Sequence, residues 1–214
     1  MTKAIFHSDV IVCPSESIKN EIVNQFSIIP NKVKAIPHGN SLPTGIKQKP
    51  NKPYFLSIGT VEPRKNLDFY ARAIKESGLN SNFEFIHVGR LGWGKLPEIF
   101  KSVNTNGDQD LANLIINATA VVIPSLYEGF GLPVLEAHAQ GIPVVMSNAG
   151  ALAELSNSSD KIFELGNLVS LVDSLKYFAD SEKKLQSTEI ELAKSFTWLR
   201  SAELHVETYL GLLK

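Results

Sequence analysis

Short apolar runs alternate along the chain with stretches in which apolar residues recur every three or four positions. Val10-Ile11-Val12-Cys13 reads as a buried strand, and Ser15, after Pro14, as the N-cap of a helix through Ile18, Ile22, Val23 and Phe26. Val33 to Pro37 reads as a second strand. Asn40 to Lys52 breaks the pattern with Pro43, Gly45, Pro50 and three lysines (Lys47, Lys49, Lys52), and residues 41–52 are expected to be a linker. Beyond it, strands are expected over Tyr54 to Ile58, Phe83 to Val88, Ala120 to Pro124 and Pro143 to Met146. Helices are expected over Leu67 to Ser77, Leu96 to Lys101, Gln109 to Asn117 and Leu132 to Gln140, the last stopped by Gly141, a residue type that accepts the left-handed cap conformation. Buried strands separated by helical crossovers are the pattern of βαβ units and a parallel sheet covered on both faces, so the fold class is α/β. From Asn167 onward the pattern is helical and ends with Trp198 to Leu213, where Leu199, Ala202, Val206, Leu210 and Leu213 share one face.

Composition removes several function classes. With 214 residues and 43% hydrophobic content the chain can bury a sizeable core, which argues against disorder. Lys plus Arg is 21 against 22 for Asp plus Glu, a net charge of −1, so no basic footprint points to nucleic acid or an anionic membrane. Cys13 is the single cysteine and cannot form an intrachain disulfide, and Met1-Thr2-Lys3 leads into no secretory signal core. No apolar run approaches the roughly 18–20 residues of a spanning helix, and the expected location is cytoplasmic. His7, His38, His87, His138 and His205 offer no pair at metal-ligand spacing, so a metal site is not expected. His138, two residues after Glu136, points away from it and reads as packing or surface; His38, in Pro37-His38-Gly39-Asn40, reads as part of a turn.

The densest chemistry lies in Ser125-Leu126-Tyr127-Glu128-Gly129-Phe130-Gly131-Leu132-Pro133-Val134-Leu135-Glu136, after a strand and opening a helix. Two glycines let a ligand approach the backbone, and Pro133 suits the first helical turn because its missing N–H would be unpaired there. Unpaired N–H groups and the helix dipole favour a phosphate or diphosphate, and Glu128 and Glu136 can accept hydrogen bonds from sugar or ribose hydroxyls. The plainer alternative is an ordinary strand–turn–helix with a solvated Glu128. Ser57-Ile58-Gly59-Thr60-Val61-Glu62-Pro63-Arg64-Lys65-Asn66-Leu67 is a second strand-to-helix loop at the same carboxyl edge, where Arg64 and Lys65 can neutralise a departing diphosphate or simply decorate a solvated turn. Gly89-Arg90-Leu91-Gly92-Trp93-Gly94-Lys95-Leu96 fails as a nucleotide-triphosphate P-loop, because Leu96 stands where a hydroxyl must hold Mg²⁺ and Pro97 follows. Gly129-Phe130-Gly131 likewise lacks the third glycine of the dinucleotide fingerprint.

Glu128 to Glu136, a Glu, seven residues and a Glu around Gly-Phe-Gly-Leu-Pro, resembles the signature of the retaining group 1 (family four) glycosyltransferases, which have the GT-B fold of two Rossmann-like domains. Gly59 to Leu67 is similar to that family's diphosphate loop, above all in the mannosyltransferase-like branch; His87 to Trp93 and Gly141 to Gly150 resemble its following strands and loops. The resemblance implies that residues 1–40 are the last βα unit of an acceptor domain, 53–195 the nucleotide-sugar donor domain, and 196–214 a closing helix that packs toward the N-terminal part. It implies that Glu128 contacts the sugar near the reacting carbon, that Lys65 and Arg64 serve the diphosphate, and that Glu136 binds ribose hydroxyls. Gly59, Thr60, Gly129, Phe130, Gly131 and Leu132 would contact the donor through the backbone, and Val103 and Asn104 would lie near the base. Many members carry an Arg where this chain has Thr60, and members with a Pro-Arg-Lys loop suggest that Arg64 supplies that charge. The family is metal-independent as a rule. The expected partners are a GDP- or UDP-sugar and either a chain bearing the acceptor domain or a second copy, with peripheral attachment at the inner membrane through such a partner. The competing readings are a non-catalytic nucleotide-sugar binding or interaction module, one chain of a split transferase, and a sugar-nucleotide epimerase of similar fold.

Overall fold

The computed structural model of the chain describes residues 2–181 and 185–213; Met1, residues 182–184 and Lys214, which fall in the 1–40, 53–195 and 196–214 segments, lie outside it. After helix α1 (Thr2–His7), strand β1 (Ile11–Cys13) leads through α2 (Glu16–Phe26) to β2 (Val33–Ala35), and the two strands pair in parallel. Ser15 caps α2, its Oγ accepting the Ile18 N–H at 3.2 Å, one of the amides a helix cannot pair internally. Cys13, Ile28 and Val33 form a small core for this unit, with Ile18, Ile22 and Phe26 packed on it.

The main sheet follows: β3 (Tyr54–Ile58), α3 (Leu67–Ser77), β4 (Glu84–Val88), β5 (Lys101–Val103), α4 (Asp108–Ile116), β6 (Ala120–Ile123), α5 (Leu132–Ala139), β7 (Val144–Ser147), β8 (Lys161–Phe163) and α6 (Leu168–Ala179). Its strands run parallel in the order β5-β4-β3-β6-β7-β8, the 3-2-1-4-5-6 order of a Rossmann sheet. Alternate strand residues face opposite layers. Phe55, Phe85, Val122 and Val145 pack under α3 and α6, whereas Leu56, Ile86, Val121 and Met146 pack under α4 and α5. The chain ends with α7 (Ser187–Ser195), packed on α5, and α8 (Trp198–Gly211). Among the described residues no helix is long and apolar enough to cross a membrane.

Two expectations need correction. Leu96 to Lys101 is not helical: a turn closes from the Phe100 N–H to the Pro97 carbonyl at 3.0 Å, and Lys101–Val103 then adds an edge strand to β4. The run is too short to offset helix nucleation, whereas an existing strand edge offers its hydrogen bonds at once. Residues 161–163 form the other edge for the same reason, and the described residues after Asn167 are helical as expected, in Leu168–Ala179, Ser187–Ser195 and Trp198–Gly211. His38 does not shape a turn; its ring lies 5.1 Å from Phe130 and 5.4 Å from Trp198, packed against both.

Residues 41–52 contain no helix or strand, but they are strapped to the body. The N–H groups of Gly45, Ile46 and Gln48 donate to the side chains of Gln140, Asn113 and Asn117 at 2.8, 2.8 and 2.6 Å. Leu42 packs into the core beneath α4 and α5.

Candidate functional site

The strand order reverses between β3 and β6, so the loops leaving their carboxyl ends, 59–66 and 124–131, flank one crevice. The first loop turns at Gly59 and winds through a 3₁₀ turn, Pro63–Lys65, before Asn66 enters α3. The second ends at Gly131, whose φ of +103° suits glycine, and Pro133 follows in the first turn of α5. The Leu126 N–H donates to the Arg64 carbonyl at 2.8 Å, so the two loops are tied together.

Glu128 is the centre of this arrangement. One oxygen accepts from Lys65 Nζ at 2.7 Å and from Ser125 Oγ at 2.7 Å; the other accepts from Arg64 at 2.9 Å. Arg64 is itself held by Glu62 at 2.6 Å and by the Tyr127 carbonyl at 2.8 Å. Lys65 is only 9% exposed and Glu128 8%, which rules out a solvated Glu128 and a solvated Lys65, while the Arg64 side chain is 40% exposed. Burial pushes the Glu128 carboxyl up, but Lys65, Ser125 and Arg64 together outweigh it and hold the group below the ordinary carboxylate range. Two cations thus converge on an anion, and here that anion belongs to the protein itself. Ser125 and Glu62 are roles the sequence did not reveal, because their partners, Glu128 and Arg64, sit on their own loops but are aimed by the pairing between the two loops. Gly150 was missed too: a Cβ there would sit 2.3 Å from the Glu128 carbonyl, and the next amide, Ala151 N–H, donates to that carbonyl at 3.0 Å.

The N–H groups of Gly129, Phe130, Gly131 and Leu132 have no hydrogen-bond partner among the described residues. They cluster at the positive end of α5, beside the two cations. Glu136, one turn into α5, is half-buried and also lacks a hydrogen-bond partner among the described residues. Burial, aided by the nearby Asp108, pushes its carboxyl up to about 7. The folded chain therefore retains a proton that the unfolded chain releases near about pH 4.3, so this group lowers stability progressively as pH rises from there to about 7, by up to about 3 kcal/mol. Glu136→Gln is expected to flatten that fall, read as a smaller difference in thermal midpoint between about pH 5 and pH 8 than in the unaltered chain.

The other expected positions divide. Thr60 lies in the first loop beside the 90–94 segment; a Cβ on Gly92 would meet its methyl at 2.7 Å. Val103 ends the edge strand β5 and packs toward α4, and Asn104 follows it, exposed; neither belongs to the Glu128 cluster. His138 is buried, with Nε2 3.0 Å from Asp160, whose carboxylate also accepts the Val144 N–H at 2.8 Å, so it is a packing residue and not a surface one. His87 Nδ1 lies 2.9 Å from Ser57 Oγ, one strand below Gly59. Among the described residues no three or more His, Cys, Asp or Glu side chains gather as metal ligands do. A cavity of about 760 Å³ opens at the opposite, amino edge of the sheet, lined by Pro53, Thr119 and Ile142, and includes none of these groups.

Residues 52–186 match the family profile described as glycosyl transferases group 1. O-antigen chain mannosyltransferase B of Escherichia coli is 30% identical over 174 residues, 73% of this chain and 45% of that protein. Among solved structures, sucrose-phosphate synthase from Thermosynechococcus elongatus superposes with a TM-score of 0.84 at 18% identity, covering 99% of this chain and 60% of that one. The Anabaena protein HepE, solved with UDP-glucose, gives 0.82 at 16% identity, covering 97% and 65%. The chain therefore spans less than half the length of that curated relative and less than two thirds of either structure.

Proposed function

We propose, from the premise that this chain belongs to the group 1 glycosyltransferases, that its six-stranded part is the donor-binding half of a retaining enzyme. The enzyme transfers a hexose, mannose by its similarity to an O-antigen mannosyltransferase, from a nucleotide diphosphate sugar to an acceptor hydroxyl in polysaccharide or glycan synthesis. The observation that carries this reading is the convergence of Lys65, Arg64 and four unpaired N–H groups on one crevice at the sheet's reversal point.

In this reading the diphosphate takes the α5 terminus and the Lys65 and Arg64 side chains, which the Glu128 carboxylate holds in place before a ligand arrives. Glu136 accepts from the ribose hydroxyls, and Glu128 faces the sugar near the reacting carbon. The bond between that carbon and the diphosphate oxygen breaks with its electron pair leaving on the diphosphate. The acceptor oxygen bonds from the same face, and its proton passes to the departing phosphate oxygen. Charge accumulates on the leaving group, where fixed cations and dipoles stabilise it without a metal ion. The acceptor is held by a second domain across the crevice.

Titration calorimetry of the chain with UDP, GDP and ADP, each with and without EDTA, tests the site. Chelator-insensitive binding of one nucleotide is the expected result. Binding of none would favour the interaction-module reading, which the exposed apolar stripe of Leu199, Val206 and Leu210 on α8 independently supports.

A further inference from the structure

The backbone on both sides of Glu128 is anchored outside the main sheet. Ser15 Oγ, nearly sealed from solvent, donates to the Gly129 carbonyl at 2.8 Å while accepting the Ile18 N–H that it caps. On the other side, Tyr127 Oη donates to Glu21 at 2.7 Å. The third anchor is indirect. Ala151 N–H holds the Glu128 carbonyl, and three residues on, the Glu154 carboxylate accepts the first free amides of α2, Glu16 N–H at 3.1 Å and Ser17 N–H at 2.5 Å. Gly129 faces the start of α2, where an added Cβ would just reach Pro14 and Ile18 at 3.9 and 4.0 Å.

We infer that helix α2 is the positioning element for Glu128, with Ser15 and Tyr127–Glu21 as its two direct holds on the loop and Glu154 as its brace. Any displacement of the 11–35 unit relative to the main sheet is then passed to residues 127–129 and so to the carboxylate that gathers Lys65 and Arg64. The structural claim stands by itself; its consequence for the sugar rests on the donor-site reading above.

Two amides report on the loop, Leu126 N–H, bonded to the Arg64 carbonyl, and Ala151 N–H, bonded to the Glu128 carbonyl. Hydrogen exchange on the whole chain is expected to be about fivefold faster at both in Ser15→Ala, and faster in the same direction in Tyr127→Phe, which removes only a surface hydroxyl. Asn167→Ala, which deletes an equivalent cap from α6, should leave both amides as they are. Unchanged exchange in both test variants, or equal acceleration by Asn167→Ala, overturns the inference. Calorimetry with GDP and GDP-mannose then separates it from the donor-site reading. Ser15→Ala should lower affinity for GDP-mannose and for GDP at least fivefold, because the displaced Glu128 carboxylate also gathers the Lys65 and Arg64 side chains that take the diphosphate, and unchanged affinity for both counts against the positioning of Glu128. If the unaltered chain binds neither compound, the donor-site reading fails while the exchange result still decides the role of α2.

Discussion

Lys65→Ala is expected to weaken nucleoside diphosphate binding by about 1–3 kcal/mol, roughly 5- to 150-fold in Kd, the range for losing a charged hydrogen bond. Its Nζ lies 2.7 Å from Glu128 and is nearly buried, so removal also leaves a carboxylate with fewer partners. Breaking a fully buried pair costs about 3–5 kcal/mol, but Arg64 and Ser125 still reach Glu128, so the loss of fold stability should be smaller, on the order of 1–3 kcal/mol. Calorimetry beside a urea melt separates the two effects. Unchanged affinity in a folded variant would remove Lys65 from the site. The sign of the pH response follows from the same cluster. The Glu128 carboxyl is held below its unfolded value, so its contribution is complete above about pH 4.3 and disappears as pH falls through the folded pKa. Glu128→Gln should therefore lose the acid-side part of the stability curve that the unaltered chain shows.

Gly89→Ala is expected to be the most damaging small substitution at the crevice. A Cβ at Gly89 would lie 1.8 Å from the Gly59 carbonyl, a backbone atom with nowhere to retreat because the Gly59 N–H is bonded to the Val88 carbonyl at 2.9 Å. The φ of +155° adds conformational strain. We expect a loss of more than about 4 kcal/mol, or failure to fold. Gly107 provides the control: its φ is +146°, but a Cβ there meets nothing within 4 Å. Gly107→Ala should then show the backbone penalty alone, about 1–3 kcal/mol. Similar unfolding midpoints for the two variants would show that the 59–89 contact is not tight.

Much of the fold was legible because its interior strands are buried on both faces. Ala120–Ile123 is a continuous apolar run, Tyr54–Ile58 is broken only by Ser57, and Leu67–Ser77 is bounded by αL-type caps at Asn66 and Gly78, so local pattern and final structure agree. The edge strands Lys101–Val103 and Lys161–Phe163 escaped notice because each is three residues long and half solvated. Their strand character comes from the neighbour that pairs with them, not from their own composition.

The candidate site divides in the same way. Residue types and spacing alone determined that two strand-to-helix loops carry glycines, cations and carboxylates suited to a diphosphate, and that the chain is α/β. Strand order, which no local pattern encodes, brought those loops together on either side of one crevice. Only the folded chain paired Lys65 and Arg64 with Glu128, gave Ser125 and Glu62 their roles, buried Glu136 without a partner and laid α2 against Gly129. Each of these depends, directly or through the pairing of Lys65 and Arg64 with Glu128, on contacts between residues far apart in sequence, and a buried charge or an unpaired amide acquires its energy only when the surrounding chain has excluded water.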